Sequence, residues 1–383
     1  MSDVVTRPDQ DQPPRPTSDR LVDLDLVRGV AVLGILLMNI VNFAHGVPGY
    51  FNIDVAGSDT AVDRTVGVLG EVFVDQKFMA VFSMLFGAGI VLFHERAIAK
   101  GANATRLSLW RNVLLLAIGL LHTLMWDGDV LVVYAICAPF VIAARRWSDR
   151  TLIAVGAGVV LLSPVGALLA QTDVGPDGEG LGEYWGIPGD MSDAVGVWLV
   201  ADFFVRAFGL MLIGIVLYRC GFLSGGWTSA AYRRVVVVGG LIGVALASVG
   251  VIWLSLEDFD PSIAVVASIP NTLGTVPAAM AIVAGVILVG RRLAAAGRTG
   301  VRSRLEAVGR MALTNYIAQT LIGVVLLGSV LDDLGRLALL GVVVGVWALQ
   351  LWWSPVWLAR FRYGPLEWAW RSATYRSVQP LRR

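Results

Sequence analysis

A histidine and two aspartates lie close together in the chain, where one apolar stretch ends and the next begins. His122 comes near the end of the first stretch, and a Trp-Asp-Gly-Asp sequence containing Asp127 and Asp129 follows it. An imidazole within sequence this apolar is costly to place in lipid, so it is a candidate functional group. Its unperturbed pKa of about 6.5 suits a general base. Either aspartate could orient the ring, although Asp-Gly-Asp is also an ordinary turn sequence.

The surrounding sequence is that of a polytopic membrane protein. Of the 383 residues, 56% are hydrophobic and 15% are charged, whereas soluble domains carry about 25% charged residues. Apolar runs of about 20 residues follow one another, which is the length a membrane helix needs. We therefore predict an all-α bundle of about ten transmembrane helices. The predicted spans are 26–45, 72–93, 108–126, 130–144, 151–171, 196–218, 235–256, 264–290, 305–330 and 336–358.

The positive charges predict how the bundle lies in the membrane. Most of the 30 lysines and arginines fall in the termini and in every second connection, which places those segments in the cytoplasm. Both termini are then cytoplasmic. Residues 1–20, with four prolines, are predicted to be a disordered tail, residues 21–360 the bundle, and residues 361–383 a basic cytoplasmic tail.

Composition excludes several other classes of site. A net charge of +1 gives no basic bias toward nucleic acid. The two cysteines suit neither a disulfide framework nor a metal site, and three histidines without a His/Cys cluster predict no metal centre. His94, beside two charged residues, is predicted to be solvated. The glycines of a GxxxG at Gly341 and Gly345 favour helix packing, with a homodimer as the alternative.

Several polar residues are predicted to share one depth. At a rise of about 1.5 Å per residue, Asn39, Lys77, His122 and Asp202 lie in one layer, roughly 6–15 Å below the outer surface, with Arg206 one turn deeper. Asp202 and Arg206 are four residues apart, so they can pair. Such residues should face the bundle interior. They form either a functional site or a polar cluster that only fixes helix packing. The outer connections, of which 46–71 and 172–195 are the longest, form either a small cap or loops.

A second polar set lies toward the cytoplasmic side. Asn315 and Gln319 are four residues apart on one helix face, and they either line a cavity from below or form hydrogen bonds between helices. Arg28, Arg111 and Arg310 lie at cytoplasmic helix ends. They either extend toward lipid phosphates or bind an anionic cytosolic ligand such as the pyrophosphate of coenzyme A.

Longer blocks of the sequence resemble a known family. They include DLVRGVAVLGILLMN (25–39), KFMAVFSMLFGAG (77–89), GLLHTLMWDGDVLVVYA (119–135), GRMALTNYIAQT (309–320) and FRYGPLEWAWR (361–371). Over nearly all of residues 21–381 the chain resembles the YeiB-like bacterial inner-membrane proteins. These proteins look like relatives of transmembrane acyltransferases, such as the sugar O-acetylases and the lysosomal enzyme that acetylates heparan glucosamine.

The resemblance implies a multi-pass protein of the bacterial inner membrane that transfers an acyl group. The donor would be cytosolic acyl-CoA, for example acetyl-CoA, and the acceptor a hydroxyl or amine of a small molecule or glycan at the outer side. The superfamily uses an intramembrane histidine, and His122 is the matching position. In the reading from the residues themselves, Asp127 or Asp129 would hold its ring, and Asn39, Lys77 or a water would stabilise the oxyanion. The three cytoplasmic-side arginines with Asn315 and Gln319 would bind the donor.

Two other functions fit the same residues. The layer of Lys77, His122, Asp202 and Arg206 would also suit a transporter for a small polar solute. A binding or scaffold protein without catalysis is the third possibility.

Overall fold

The computed structural model describes residues 18–329 and 334–383. This part of the chain is helical and contains isolated β-bridges but no named strand. The helices are α1 (Ser18–Phe51), α2 (Ala61–Phe73), α3 (Lys77–Ala99), α4 (Ala104–Thr123), α5 (Leu131–Ala144), α6 (Asp149–Val160), α7 (Leu162–Gln171), α8 (Asp193–Arg219), α9 (Ser229–Leu256), α10 (Ile269–Ala295), α11 (Thr299–Arg310), α12 (Ala312–Ser329), α13 (Arg336–Arg360) and α14 (Pro365–Tyr375). Three 3₁₀ turns lie at Gly182–Tyr184, Pro261–Ile263 and Val266–Ser268.

The helices confirm the predicted polytopic bundle. Among the described residues, 8 helical stretches are long and apolar enough to cross a membrane, and α11 with α12 forms a further candidate bent by 82°. The shorter apolar helix α5 is the remaining predicted span. Each of the ten predicted segments therefore corresponds to a helix or helix pair. The cytoplasmic position of the termini and the domain boundaries stay predictions, and residues 1–17 of the predicted tail lie outside the described part.

Polar side chains start several of these helices. Thr60, Ser148, Ser192 and Thr228 precede α2, α6, α8 and α9, and the side-chain oxygen of each accepts a hydrogen bond from the backbone N–H three residues later. These bonds satisfy N–H groups that the first helical turn leaves unpaired. The apolar run that follows each cap supplies the surface buried in the bundle.

Glycines allow the central helices to approach closely. A Cβ atom on Gly87 of α3 would lie 2.1 Å from the carbonyl oxygen of Met211 in α8. One on Gly309 of α11 would lie 1.9 Å from the carbonyl oxygen of Asp25 in α1. Close backbone contact of this kind is how membrane helices gain packing energy without a hydrophobic driving force.

Two smaller predictions were wrong. Within the described residues nothing lies within 4 Å of a Cβ added to Gly341 or Gly345, so this GxxxG does not pack another helix of the same chain. The homodimer stays a prediction. His94 is buried at 7% exposure, and its Nε2 accepts a hydrogen bond from Arg145 Nε at 3.0 Å. The Arg145 guanidinium covers the imidazole, so His94 is not solvated as its charged neighbours in the sequence had predicted.

The predicted outer connections form a cap. Tyr184 and Trp185 are buried in one apolar cluster with Ile53 and Phe259, which come from three separate connections. The Trp185 indole N–H donates to the backbone oxygen of Phe259 at 3.2 Å. Of the two alternatives for these connections, the structure therefore shows the cap.

The predicted basic tail contains a docked helix. The indole N–H of Trp110 in α4 donates to Ala373 of α14 at 3.1 Å, and the indole N–H of Trp370 in α14 donates to Arg111 at 2.9 Å, both to backbone oxygens. α14 therefore covers the beginning of α4.

Candidate functional site

His122 and Asp129 form a buried pair. His122 lies in the last turn of α4, and Asp129 lies just before α5. The imidazole Nδ1 and Asp129 Oδ1 are 2.8 Å apart, and both residues are buried at 2% and 7% exposure. The other carboxylate oxygen accepts the backbone N–H of Val132 at 2.9 Å, so Asp129 also starts α5. The tight connection between two antiparallel helices thus brings the acid to the imidazole.

The second ring nitrogen of His122 has no hydrogen-bond partner among the described residues. Its Nε2 is buried and unpaired. With Asp129 accepting from Nδ1–H, the neutral tautomer carries its free lone pair on Nε2. One ring nitrogen is hydrogen-bonded to a carboxylate and the other is free. This is the arrangement of a general base whose orientation is set by that carboxylate.

Two aromatic residues enclose the imidazole. The Tyr316 ring of α12 lies 5.3 Å from the His122 ring, and its hydroxyl donates to Asp129 Oδ1 at 3.3 Å. The Trp126 ring lies 6.1 Å from the imidazole, and its N–H donates to Asn42 at 2.5 Å. Apolar rings around the pair exclude water and strengthen its hydrogen bond.

A large cavity extends from Tyr316 to a basic entrance. Its volume is about 680 Å³, within the range of about 300–1,000 Å³ typical of small-molecule sites. Val130, Tyr134 and Tyr316 line one part of it, whereas His122 and Asp129 are not lining residues. The Tyr316 hydroxyl, which donates to Asp129, connects this part to the His122–Asp129 pair. Phe82, Phe86 and other apolar side chains line the middle. The entrance is surrounded by cationic residues, which are Arg28, Arg96, Lys100, Arg111, Arg310 and Arg371.

The entrance arginines are held by aromatic rings and by few anions. The Arg111 guanidinium lies 4.6 Å from the Phe93 ring centre and 3.9 Å from that of Trp370. Arg28 forms an ion pair with Asp25 at 2.7 Å. In the part of the chain that the structure describes, the Nε of Arg371 has no partner, and exposed Arg310 donates to one backbone oxygen at 3.3 Å. Stacked guanidiniums that keep free N–H groups can bind phosphate in a fixed orientation.

A buried carboxylate joins α14 to the bent span. Glu367 accepts backbone N–H bonds from Leu313 at 2.7 Å and Thr314 at 3.0 Å, and the Thr314 hydroxyl at 2.6 Å. It therefore caps α12 where the span bends. Burial raises the pKa of Glu367 above its ordinary value, although these hydrogen bonds lower it. Glu367 also lines the cavity entrance.

Asn315 and Gln319 lie outside the cavity lining. Asn315 donates to Ser354 of α13 at 3.1 Å and accepts from the Trp353 indole at 2.7 Å. Gln319 donates to the backbone oxygen of Val32 at 3.1 Å. Of the two alternatives for these amides, the structure shows hydrogen bonds between helices, because both are fully enclosed where α1, α12 and α13 meet.

Lys77 belongs to a different cluster from His122. Its Nζ donates to Asn271 Oδ1 at 2.5 Å and to the backbone oxygen of Glu71 at 2.6 Å. Asp202 and Arg206 form the predicted ion pair in α8. The single polar layer expected from depth is therefore two groups, since depth along a helix does not say which way a side chain points. The structure brings Lys77, Asp202 and Arg206 toward the cap and leaves His122 with Asp129.

Two further site candidates lie apart from the imidazole. Asp127 is exposed, whereas Asp129 in the same turn is buried. Asn39 is half-buried, and no hydrogen bond of the described residues joins it to His122 or Lys77. Their catalytic roles stay predictions without supporting geometry.

Sequence reasoning overlooked several residues that the structure places in the cavities. Glu367, Trp370 and Arg371 were assigned to a tail, although the sequence Gly364-Pro365-Leu366-Glu367 is a helix N-terminal signal. Asp75 and Gln76 lie in a break between α2 and α3, inside one 39-residue span. The polar run Asp75-Gln76-Lys77 is the local signal of that break, between two apolar stretches.

The fold and the buried polar sites define a multi-pass membrane protein of α-helices. Residues 217–377 match the family model described as "Protein of unknown function (DUF418)". The chain is 33% identical to the uncharacterised protein YeiB of Escherichia coli (strain K12), covering 94% of this chain and 98% of that protein. It is 27% identical to the uncharacterised protein YxaH of Bacillus subtilis (strain 168), covering 96% and 97%. The chain therefore belongs to the YeiB-like family. No solved structure matches it.

Proposed function

We propose that this protein is an integral-membrane acyltransferase of the bacterial inner membrane. It moves an acyl group from cytosolic acyl-CoA to a hydroxyl or amine acceptor at the outer side. The observation that carries the proposal is the cavity of about 680 Å³ that joins six cationic residues to the surroundings of a buried His–Asp pair. A donor with phosphates at one end and a reactive thioester at the other matches that distribution of charge.

The chain's own residues would divide the work along the cavity. Arg111, Arg310 and Arg371 would bind the phosphates. The apolar middle would hold the acyl-pantetheine arm. The acceptor oxygen or nitrogen would form a bond to the thioester carbon, its proton would pass to His122 Nε2, and the C–S bond would break. The departing thiolate would then take a proton, which returns the imidazole to its neutral form.

Asp129 would act by holding the imidazole. Its carboxylate keeps the proton on Nδ1 and stabilises the imidazolium formed during transfer. Base catalysis by a positioned group contributes about 10² to 10⁴-fold to rate. The hydroxyl of Tyr316 supports the same carboxylate oxygen from the cavity side.

Donor binding is the direct test. Binding of acetyl-CoA to the purified protein should be saturable and should weaken about tenfold or more in Arg310→Ala, since a hydrogen bond to a charged group contributes about 1.5–3 kcal/mol. Arg310 makes one backbone hydrogen bond, so its removal should spare the fold. Arg233→Ala is the matched control, because Arg233 is exposed at the beginning of α9 and away from the cavity lining.

Two binding results would count against the proposal. Equal loss of affinity in Arg233→Ala would show that only general surface charge is involved. Absence of saturable acetyl-CoA and palmitoyl-CoA binding to folded protein would remove the donor. His122→Ala should keep donor binding while losing transfer, since His122 lies beyond the entrance.

A transporter is the second candidate, favoured by a separate observation. The span Ala61–Ala99 is broken between α2 and α3, and Gln76 there has a left-handed φ of 64°. Broken membrane helices beside buried charges are frequent at transporter binding sites. Solute uptake into proteoliposomes that depends on Asp202, with no acyl-CoA binding, would favour this function.

A further inference from the structure

A second, smaller cavity lies between the beginning of α3 and the cap. Its volume is about 70 Å³. Six aromatic side chains contribute to its lining, which are Tyr50, Phe51, Tyr184, Trp185, Trp198 and Phe203. Three carboxylates, Glu71, Asp75 and Asp202, line it as well. Carboxylates among aromatic faces are the surroundings in which proteins bind organic cations.

Two of the three carboxylates are already bonded. Asp202 is paired with Arg206 and accepts the Ser163 hydroxyl. Asp75 accepts the Tyr50 hydroxyl at 2.9 Å and the Asn271 amide at 2.9 Å. The amide oxygen of that asparagine in turn accepts from Lys77, so Lys77 supports Asp75 through one intermediate.

The carboxylate of Glu71 is the exception. Within the described residues it takes part in no hydrogen bond or ion pair, although its backbone oxygen accepts from Lys77. An ionised carboxylate in a mostly apolar cavity is costly unless a cation faces it. A cation bound in the open space beside Glu71 would lower that cost.

The charges of the cluster show the same deficit. Three carboxylates face two cations, Lys77 and Arg206. Arg336 acts electrostatically on both Glu71 and Asp63. Adding Arg336 to the cations and Asp63 to the carboxylates still leaves one carboxylate in excess. With all the carboxylates ionised, one further positive charge would balance the cluster.

Arg206 supplies an independent sign of a missing ligand atom. It is 5% exposed and lines the cavity, yet no described residue accepts a hydrogen bond from its Nε. A buried donor of this kind lacks an acceptor oxygen. Gln76, whose side-chain oxygen accepts from Arg206 at 2.7 Å, has a left-handed backbone with φ of 64°. Strain of this kind is concentrated at functional sites.

We propose that this cavity binds a small organic cation, a protonated amine that also carries a hydroxyl oxygen. The ammonium lies against Glu71 and the aromatic faces, and the hydroxyl is oriented toward Arg206. The described residues contain no group of three His, Cys, Asp or Glu side chains that could hold a metal ion. The site stands apart from the donor cavity, so it does not depend on acyl transfer.

Three two-carbon molecules test the proposal on the intact purified protein. Ethanolamine carries an amine and a hydroxyl, ethylene glycol is its neutral match, and glycolate is its anionic match. A ligand that binds only the folded state stabilises it by RT ln(1 + [L]/Kd). Ethanolamine should raise the melting temperature in a saturable way, and the other two at equal concentration and ionic strength should not.

Variants connect the response to the carboxylate. Glu71→Gln should remove the ethanolamine response while remaining folded, because the neutral amide no longer requires a counter-charge. Glu257→Gln, an exposed carboxylate at the end of α9, should keep the response. Tryptophan fluorescence gives a second reading, since Trp185 and Trp198 line the cavity.

Several results would overturn the proposal. One is an equal response to ethylene glycol, and another is a response retained in Glu71→Gln. A Glu71-dependent stabilisation by sodium ion as large as that by ethanolamine would replace the organic cation with an inorganic one. Failure of acetyl-CoA binding would leave the ethanolamine result unaffected, so the two proposals fail separately.

Discussion

Replacing Asp129 with asparagine separates its charge from its shape. The two carboxylate oxygens of Asp129 accept from His122 at 2.8 Å and from the Val132 backbone N–H at 2.9 Å. Asparagine has one oxygen, so only one of these donors can keep its acceptor. If the oxygen stays on Val132, the amide N–H₂ faces His122 Nδ1 and forces the proton of the neutral imidazole onto Nε2.

The size of the effect follows from those bonds. A proton on Nε2 removes the base, so acyl transfer should fall by about 10² to 10⁴-fold, which is roughly 3–5 kcal/mol of transition-state stabilisation. Disruption of a buried hydrogen bond should lower the free energy of unfolding by about 1–3 kcal/mol. Asp127→Asn is the matched control, since Asp127 lies in the same turn but is exposed.

Two measurements follow the substitution. Release of free thiol from acetyl-CoA in proteoliposomes, with ethanolamine or glycerol as the offered acceptor, reports transfer. Nitrogen NMR of the imidazole reports which ring nitrogen of His122 carries the proton, independently of activity. Asp129→Asn should shift the proton to Nε2, and Asp127→Asn should not.

Two outcomes would refute the reasoning. If Asp129→Asn and Asp127→Asn transferred equally well, the buried carboxylate would have no part in catalysis. If the wild-type imidazole already carried its neutral proton on Nε2, then Asp129 would not set the tautomer.

Four further predictions concern the C-terminal helix, the buried Asn315, the helix crossing at Gly309 and the membrane topology. Burial raises the pKa of Glu367 from its ordinary 4.5, so the folded state binds a proton more tightly than the unfolded state. Docking of α14 should therefore weaken as pH rises from 4.5 through the raised pKa. Limited proteolysis across this pH range should show the weakening in wild type and not in Glu367→Gln. Asn315→Ala should lower the free energy of unfolding by about 1–3 kcal/mol while leaving the acetyl-CoA affinity of folded protein unchanged, which would be contradicted by a selective loss of affinity. Gly309→Val should prevent folding, since even a Cβ would lie 1.9 Å from Asp25, and normal yield with a wild-type melting curve would contradict the close crossing. A reporter fused after Arg383 should be cytoplasmic, and an external signal would reverse the predicted orientation.

The helical bundle could be predicted because its cause is local. The length and apolar composition of each run determine whether it crosses a membrane, so the ten segments were found from the sequence. The bend of 82° between α11 and α12 was not found. It occurs at Met311 without an interior proline, and the Glu367 carboxylate that caps the second half comes from a distant part of the chain.

The candidate site could be predicted only where its members are close in sequence. His122 and Asp129 are joined by one short turn, so their proximity follows from the antiparallel arrangement of α4 and α5. Lys77 and Asn39 were placed beside them by depth alone. Depth is one coordinate, and the structure shows that rotation about the helix axis directs Lys77 toward Asn271 instead.

By itself the sequence determined the helical membrane class, the cost of burying His122, and its neighbouring carboxylates. It did not determine which aspartate meets the imidazole, because Asp127 and Asp129 differ in burial and not in type. Only tertiary structure decided that Tyr316 supports the pair and that Glu71 faces an aromatic cavity with no bonded cation. The physical reason is that charge and hydrogen bonding depend on which helices face one another, and a local pattern does not contain that information.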